Sequence, residues 1–119
     1  MINKIGIDNI RIFKDLTEFK LTPITLLTGA NNSGKSSFLK TMNLLQQSVK
    51  DLNSLNVLKF DSGNHNLGSF KNTVNWQSNK DYITLEFDFP LDYFDEDFKL
   101  ELVYREMGEV GYLKSYKIF

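Results

Sequence analysis

The sequence predicts an α/β fold: two strands lead through a glycine-rich turn into a long helix, and an antiparallel β-meander follows. Three observations predict this fold. Apolar residues alternate with other residues near the start of the chain, as in a strand. Between positions 35 and 50 they recur at helical spacing. From position 81 onward they alternate again, in three segments separated by turn residues.

The first two strands come from the amino-terminal segment. Ile5 and Ile7 are separated by a single residue, which predicts a strand that bends near Asn9 and continues beyond it. Residues 14–17 are typical of a turn, and residues 18–21 alternate as a second strand. These two segments therefore predict a strand pair.

A short buried strand and a helix follow. Pro23 breaks the second strand and holds the preceding residue extended, so that the chain enters the apolar run Ile24–Thr28, which is expected to be a core strand. The helix begins at Lys35 and continues to Lys50, and Asn53 interrupts its pattern. Its predicted apolar stripe consists of Phe38, Met42, Leu45 and Val49, with Leu39 beside it. Its predicted polar face carries Lys40, Asn43, Gln47 and Lys50.

Between this strand and this helix lies Gly29–Ser36, with the sequence GANNSGKS, which fits the phosphate-binding pattern G-x-x-x-x-G-K-[ST] at every fixed position. Gly29 and Gly34 allow backbone conformations in which successive N–H groups point into one concavity. The start of the helix adds unpaired N–H groups and a positive dipole end. Lys35 is expected to reach the β- and γ-phosphates and Ser36 to bind Mg²⁺. The segment thus predicts a site for a nucleoside triphosphate with Mg²⁺.

The second half of the chain predicts antiparallel strands. We expect residues 57–80 to be loop, with residues 68–74 open between a short helix and irregular chain. A strand follows from Asp81 to Pro90. Residues 92–97 form an acidic turn, and residues 98–104 alternate as the next strand. The remaining segments are a hairpin loop at Met107–Gly111 and a return strand from Tyr112 to Phe119.

Composition limits the possible classes of protein. The 119 residues suffice for one domain or part of one, and a hydrophobic share of 41% permits a core. The net charge of −1 gives no overall basic field that would attract nucleic acid. The absence of cysteine excludes a disulfide framework and a cysteine-based metal site. Without a signal peptide or an apolar run of ~20 residues, we expect a cytoplasmic protein with no membrane partner.

Two segments carry a resemblance to a known family. Residues Ile7–Asp15 and Pro23–Ser37 resemble the amino terminus of ABC-type ATPases of the SMC/RecF/OLD group, often called AAA-family ATPases in bacterial genomes. The form Asn31-x-Ser33-Gly34-Lys35-Ser36-Ser37 is narrower than the general phosphate-loop pattern. Leu67–Phe70 is similar to a short motif in one bacterial branch. The resemblance is good from Ile5 to Phe70.

The resemblance implies a P-loop NTPase amino-terminal lobe that binds ATP and Mg²⁺. Such heads hydrolyse ATP as face-to-face dimers, and many act on DNA in repair, chromosome organisation or phage defence. A homodimer through ATP and DNA contacts of the full protein are therefore expected. The nucleotide-binding residues that it implies are Gly29, Asn31, Asn32, Ser33, Gly34, Lys35, Ser36, Ser37 and Arg11, with Ser36 as the metal ligand. Two roles stay open for Arg11: it contacts phosphate or base, or it is a solvated residue of the strand.

The sequence also departs from the family. The family uses an apolar strand ending in Asp-Glu, in which Asp supports Mg²⁺ and Glu orients the attacking water. The run Leu91–Glu96 is only superficially similar, because Asp92 interrupts it and an acidic loop explains it better. No Leu-Ser-Gly-Gly-like string occurs in the chain. We therefore expect residues 1–119 to be a single partial domain of a larger head, with its carboxy-terminal half missing and its catalytic residues unknown.

Other interpretations compete with this one. A non-catalytic nucleotide-sensing or interaction module is the main alternative. A nucleotide kinase fits less well, because such enzymes have parallel sheets. His65 lies in a polar loop and is expected to have no catalytic role. The sequence favours Trp76 as a partly buried anchor over a base-stacking residue. Gln77 is a weaker candidate for a glutamine that reaches Mg²⁺.

Overall fold

The computed structural model describes residues 2–22, 34–61, 67–90 and 97–118. Its elements, in chain order, are strands β1 (Lys4–Asp8) and β2 (Thr17–Lys20), helix α1 (Lys35–Leu52), strand β3 (Val57–Leu58), helix α2 (Phe70–Thr73), and strands β4 (Tyr82–Pro90), β5 (Asp97–Met107) and β6 (Val110–Ile118). In the described ranges, six strands form one sheet in the order β2-β1-β4-β5-β6-β3. Every pair of neighbouring strands is antiparallel. An α/β fold with an antiparallel sheet is thus confirmed.

The inner face of the sheet follows the predicted alternation. Ile5 pairs with Phe87 and Ile7 with Leu85, so that these four side chains share one face. All four are buried, and Leu102 and Tyr104 of β5 extend the same apolar surface. The predicted strand pair at the amino terminus is also confirmed, because β1 and β2 pair from Lys4–Lys20 to Ile7–Thr17. The first strand does not continue through Asn9, however, since β1 ends at Asp8.

A β-bulge determines which side chains of β6 lie on each face of the sheet. Val103 pairs with Ser115 and Tyr104 with Leu113, which leaves Lys114 as the extra residue. This extra residue lets Leu113 and Tyr116, three positions apart, lie on the same face of the sheet. The hairpin loop is shorter than predicted: Met107 pairs directly with Val110, so only two residues turn the chain. The first of them, Gly108, has a φ of +64°.

Helix α1 buries a different stripe from the one that its apolar pattern predicts. Ser37, Phe38, Thr41, Leu44 and Ser48 are its buried residues. Two predicted stripe residues, Met42 and Leu45, pack only partly against the core. Leu39 and Val49 are 54% and 42% exposed. The small hydroxyl residues can face the sheet because their polar atoms are bonded: the Thr41 hydroxyl donates to the Ser37 carbonyl, and Ser48 Oγ accepts from the Lys59 N–H.

The segment 57–80, predicted as loop, contains a two-residue strand and a short helix. Strand β3 pairs with Tyr112 and Gly111 of β6. At α2, the Ser69 hydroxyl caps the helix by accepting from the Asn72 N–H. The sequence pattern does not show β3, because a two-residue strand has no periodicity and depends on a partner that is distant along the chain.

Tyr104 ties the sheet to the segment that follows α1. Its side chain is fully buried, and its hydroxyl donates to the Leu55 carbonyl at 2.7 Å. Burial raises the pKa of this phenol above its ordinary value of 10.0, which keeps the hydroxyl protonated as a donor.

Replacement of Tyr104 by Phe is expected to lower the free energy of unfolding by about 1–3 kcal/mol, because the Leu55 carbonyl loses its donor. Urea denaturation measures this change. The matched control is Tyr116→Phe, whose side chain is 67% exposed and which should change stability by less than about 0.5 kcal/mol. Equal effects of the two substitutions would contradict the proposed anchoring role.

Glu86 lies on the outer face of the sheet opposite Glu101 of β5. Burial raises the pKa of the Glu86 carboxyl above its ordinary value of 4.5; nearby Lys99 opposes the rise, and Glu101 and Glu18 add to it. The folded state therefore favours the neutral carboxyl. This contribution to stability is present at pH values below the ordinary pKa and is lost as the pH rises through the raised pKa.

We expect Glu86→Gln, which keeps the side chain neutral, to be more stable than the unmodified protein at pH 7 and equally stable near pH 3. Thermal denaturation at a series of pH values measures the difference. Glu109→Gln, in the exposed hairpin loop, serves as the control and should show no such convergence. If Glu86→Gln is instead less stable at pH 7, the attraction of Lys99 outweighs the cost of burial.

Candidate functional site

The start of α1 is the described part of the predicted phosphate-binding segment. Gly34 is the N-cap, with a φ of +99°, and no side chain caps the helix. The first hydrogen bond of the helix runs from the Phe38 N–H to the Gly34 carbonyl. The N–H groups of Lys35, Ser36 and Ser37 therefore have no intrahelical acceptor. Such a start favours an anion, because the free donors and the positive end of the helix dipole coincide.

Glycine is required at position 34 for two reasons. Its backbone conformation is one that residues with a Cβ rarely adopt. A Cβ at this position would also lie 3.0 Å from Cε1 of Phe13 and 3.2 Å from Cδ1 of Ile12. The Phe13 ring in turn meets Phe19 edge-on at 5.5 Å, and Phe19 lies 4.6 Å from Phe38 of α1. These aromatic contacts fix the start of the helix against the β1–β2 connection.

Arg11 is held beside the first turn of α1. Its Nε donates to the Ser37 hydroxyl at 3.2 Å. Its backbone N–H donates to the Thr73 carbonyl at 2.7 Å, and its own carbonyl accepts from Nδ2 of Asn75 at 2.6 Å. These bonds hold Arg11 at a φ of +50°, a conformation that is uncommon for a residue other than glycine. The side chain is half-buried, and its Nη groups make no hydrogen bond to any residue in the described ranges.

Asn9 anchors this arrangement from inside the protein. It is fully buried at a φ of +66°. Its amide group donates to the carbonyls of Tyr82 at 2.8 Å and Lys80 at 3.2 Å, and its side-chain oxygen accepts from the Asn75 N–H at 3.2 Å. Asn75 is itself buried, with only 4% of its surface exposed. The sequence marks a bend at Asn9, and the family resemblance implies that the turn from Asn9 to Arg11 lies near the nucleotide. It gives no sign of Asn75, because an isolated asparagine in a loop has no periodic signal.

An ion pair of Lys80 stabilises the connection between β1 and β2. The ammonium group of Lys80 lies 2.7 Å from the Asp8 carboxylate and 3.6 Å from that of Asp15. It also donates to the Lys14 carbonyl. The hydrogen bond to Asp8 raises the pKa of Lys80 above its ordinary value of 10.5, against a smaller opposing effect of burial. Lys80 thus ties the end of β1 to the turn that leads into β2.

The structure brings together five of the predicted nucleotide-binding residues, namely Arg11 and the run from Gly34 to Ser37. Lys35 is half-buried, Ser36 is exposed and Ser37 is buried, all directly after Gly34. The others, Gly29, Asn31, Asn32 and Ser33, lie outside the described residues. The same holds for the predicted core strand Ile24–Thr28, for His65 and for residues 92–96 of the acidic turn predicted at 92–97, whose last residue begins β5 instead.

Two further predictions concern the segment before β4. The prediction that Trp76 is a partly buried anchor is wrong, because its side chain is 73% exposed. The buried anchor of the segment is the neighbouring Asn75. Gln77 is also exposed, and its N–H donates to Oδ1 of Asn75.

The start of α1 offers an oxygen ligand of the kind that Mg²⁺ takes in nucleotide sites. No group of three or more His, Cys, Asp or Glu side chains in the described ranges could hold a metal. Mg²⁺ in nucleotide sites usually keeps several waters and takes one or two protein ligands together with phosphate oxygens. The exposed Ser36 hydroxyl, directly after the Lys35 side chain, suits such a role.

Comparison with known proteins identifies the family to which the chain belongs. The sequence profile of the AAA ATPase domain matches residues 1–107, which is most of the chain, and the chain belongs to this family. Membership suggests nucleotide binding, with ATP and a divalent metal as the general ligands of the family. No curated protein sequence gives a significant match. In the described part of the chain, no helix is long and apolar enough to cross a membrane.

Gly34→Ala is expected to lower the free energy of unfolding by about 2–4 kcal/mol, since the new Cβ is strained at positive φ and presses on the Phe13 ring. Gly108→Ala is the matched control: it also has positive φ, but its Cβ would have open space around it, and it should cost only about 1–2 kcal/mol. Urea denaturation of both variants checks the prediction. Similar losses would mean that the Phe13 contact does not restrict position 34.

Proposed function

We propose that this chain binds ATP with Mg²⁺ through Gly29–Ser36, as the P-loop (Walker A) segment of an SMC/RecF/OLD-like ATPase. The observation that carries the proposal is the junction at Gly34. The phosphate-loop pattern ends at the residues where α1 begins. Gly34 is the left-handed N-cap of this helix, no side chain caps it, and the first-turn N–H groups have no intrahelical acceptor. Family membership supports the same ligand.

Each residue has a proposed role. Backbone N–H groups of Gly29, Asn31, Asn32, Ser33 and Gly34 cradle the β-phosphate. Lys35 neutralises charge on the β- and γ-phosphates, and Ser36 supplies the metal ligand, while Ser37 orients Arg11 through its hydroxyl. A bound Mg²⁺ would offset negative charge on the phosphates, and the Ser36 hydroxyl would be its protein ligand.

Arg11 is proposed as a second cation of this site. Because Nε is engaged by Ser37, the guanidinium is fixed with its Nη groups available to an anion. A guanidinium binds phosphate well in this geometry, since two N–H groups can reach two oxygens. The local charge of Arg11 and Lys35 supplies the attraction that a net charge of −1 does not provide.

The proposal for these 119 residues is binding rather than hydrolysis. Phosphoryl transfer to water requires a group that orients the attacking water, and the sequence contains no apolar strand ending in Asp-Glu. We propose that carboxy-terminal elements of a larger head supply this group. In that setting, ATP would join two heads as a homodimer in the cytoplasm, with DNA as a partner in repair or phage defence.

Lys35→Ala is expected to weaken ATP binding in the presence of Mg²⁺ by about 10-fold to 100-fold, because a charge-assisted contact with phosphate is lost. Isothermal titration calorimetry with and without EDTA measures this effect. Lys50→Ala is the control, because it removes the same charge from the last turn of the same helix and should leave affinity unchanged.

Two results would contradict the proposal. Failure of both ATP and ADP to bind at millimolar concentration would favour an interaction module that keeps the loop only as a fold element. Steady-state ATP hydrolysis by this chain, abolished by Lys35→Ala, would show that the catalytic groups lie within these 119 residues.

A further inference from the structure

Trp76 is the sole tryptophan of the chain and is 73% exposed. A largely exposed indole offers a planar apolar face on which another ring can stack. The fold does not use this side chain as an anchor, since the adjacent Asn75 is buried in its place.

The backbone that carries Trp76 is held in a fixed turn. The Ser78 N–H donates to the Asn75 carbonyl at 3.2 Å, which closes a turn with Trp76 at its first corner. The Gln77 N–H donates to the Asn75 side-chain oxygen at 2.9 Å. Because the Asn75 N–H is also bonded to the buried Asn9, the backbone beside the indole is tied to the interior of the protein.

The same turn is connected to the start of α1 by two hydrogen bonds. Nδ2 of Asn75 donates to the Arg11 carbonyl at 2.6 Å, and Nε of Arg11 donates to Ser37 Oγ at 3.2 Å. The turn that carries Trp76 and the proposed phosphate site are therefore linked through Arg11. A nucleotide carries negative charge on its phosphates and a planar ring in its base. The cationic residues at the start of α1 suit the phosphates, and the indole of Trp76 suits the base.

We propose that Trp76 stacks on the base of the nucleotide whose phosphates are held at the start of α1. The inference rests on the proposed nucleotide binding and adds the residue that contacts the base. Stacking on an indole tolerates different bases, because each base presents a π-face, so the site would distinguish nucleotides from inorganic polyphosphates more strongly than ATP from GTP.

Trp76→Ala should weaken Mg²⁺–ATP binding by about 5-fold to 100-fold in calorimetry, while binding of inorganic tripolyphosphate stays unchanged. Trp76→Phe should retain most of the affinity, because a stacking ring remains. Tyr116→Ala, which removes another exposed aromatic side chain, is the control and should have no effect. Since Trp76 is the only tryptophan, ATP should also change its fluorescence saturably, and tripolyphosphate should not.

The outcomes separate this inference from the function on which it rests. If ATP binds and Lys35→Ala weakens it, but Trp76→Ala does not, the stacking role is wrong and the phosphate site stands. If ATP does not bind at all, both are wrong. If Trp76 fluorescence responds to single-stranded oligothymidine but not to ATP, the indole contacts a nucleic-acid strand instead of the bound nucleotide, and the inference is overturned.

Discussion

The buried side chain of Asn9 is the contact on which the site depends. Its three hydrogen bonds join the end of β1 to Lys80, to Tyr82 at the start of β4 and to Asn75. Two asparagine properties make this possible: its short amide can bond backbone groups on both sides, and it tolerates positive φ better than most residues. Without this side chain, two carbonyl groups and one buried N–H group would lose a partner, which is costly inside a protein.

From Asn9 the constraint passes outward to the start of α1. Asn75 holds the Arg11 carbonyl, and Arg11 reaches Ser37 in the first turn of the helix. On the other side, the Phe13 ring lies against Gly34. The strained conformations of Asn9 and Arg11 are thus over-determined by their surroundings, as is usual where a backbone is positioned for binding. This arrangement places a cation and free N–H groups together at the phosphate end of the proposed site.

Much of the fold could be predicted from periodicity. Apolar residues alternate from Ile83 to Phe87 and recur at helical spacing after Lys35. Both periodicities are local properties, so each can be recognised within its own segment. The buried side of α1 was less predictable, because Thr41 and Ser48 are polar residues that are buried with bonded hydroxyls, Thr41 to the Ser37 carbonyl within the helix and Ser48 to the Lys59 N–H beyond it. The exposure of Trp76 differs from the prediction for a related reason: hydrophobicity alone favours burial, but a turn anchored by Asn75 leaves the indole outside.

The sequence by itself predicted the ligand class, because the pattern at Gly29–Ser36 is typical of phosphate-binding segments, and membership of the AAA ATPase domain family also suggests nucleotide binding. It also determined the meander, since alternation is a local property. Only the tertiary structure decided which distant residues join that loop. Arg11 lies 26 positions from Ser37 and 64 positions from Asn75, and it meets each through a single hydrogen bond. Such contacts depend on how the sheet, the helix and the turns pack together, and no pattern within one segment specifies them.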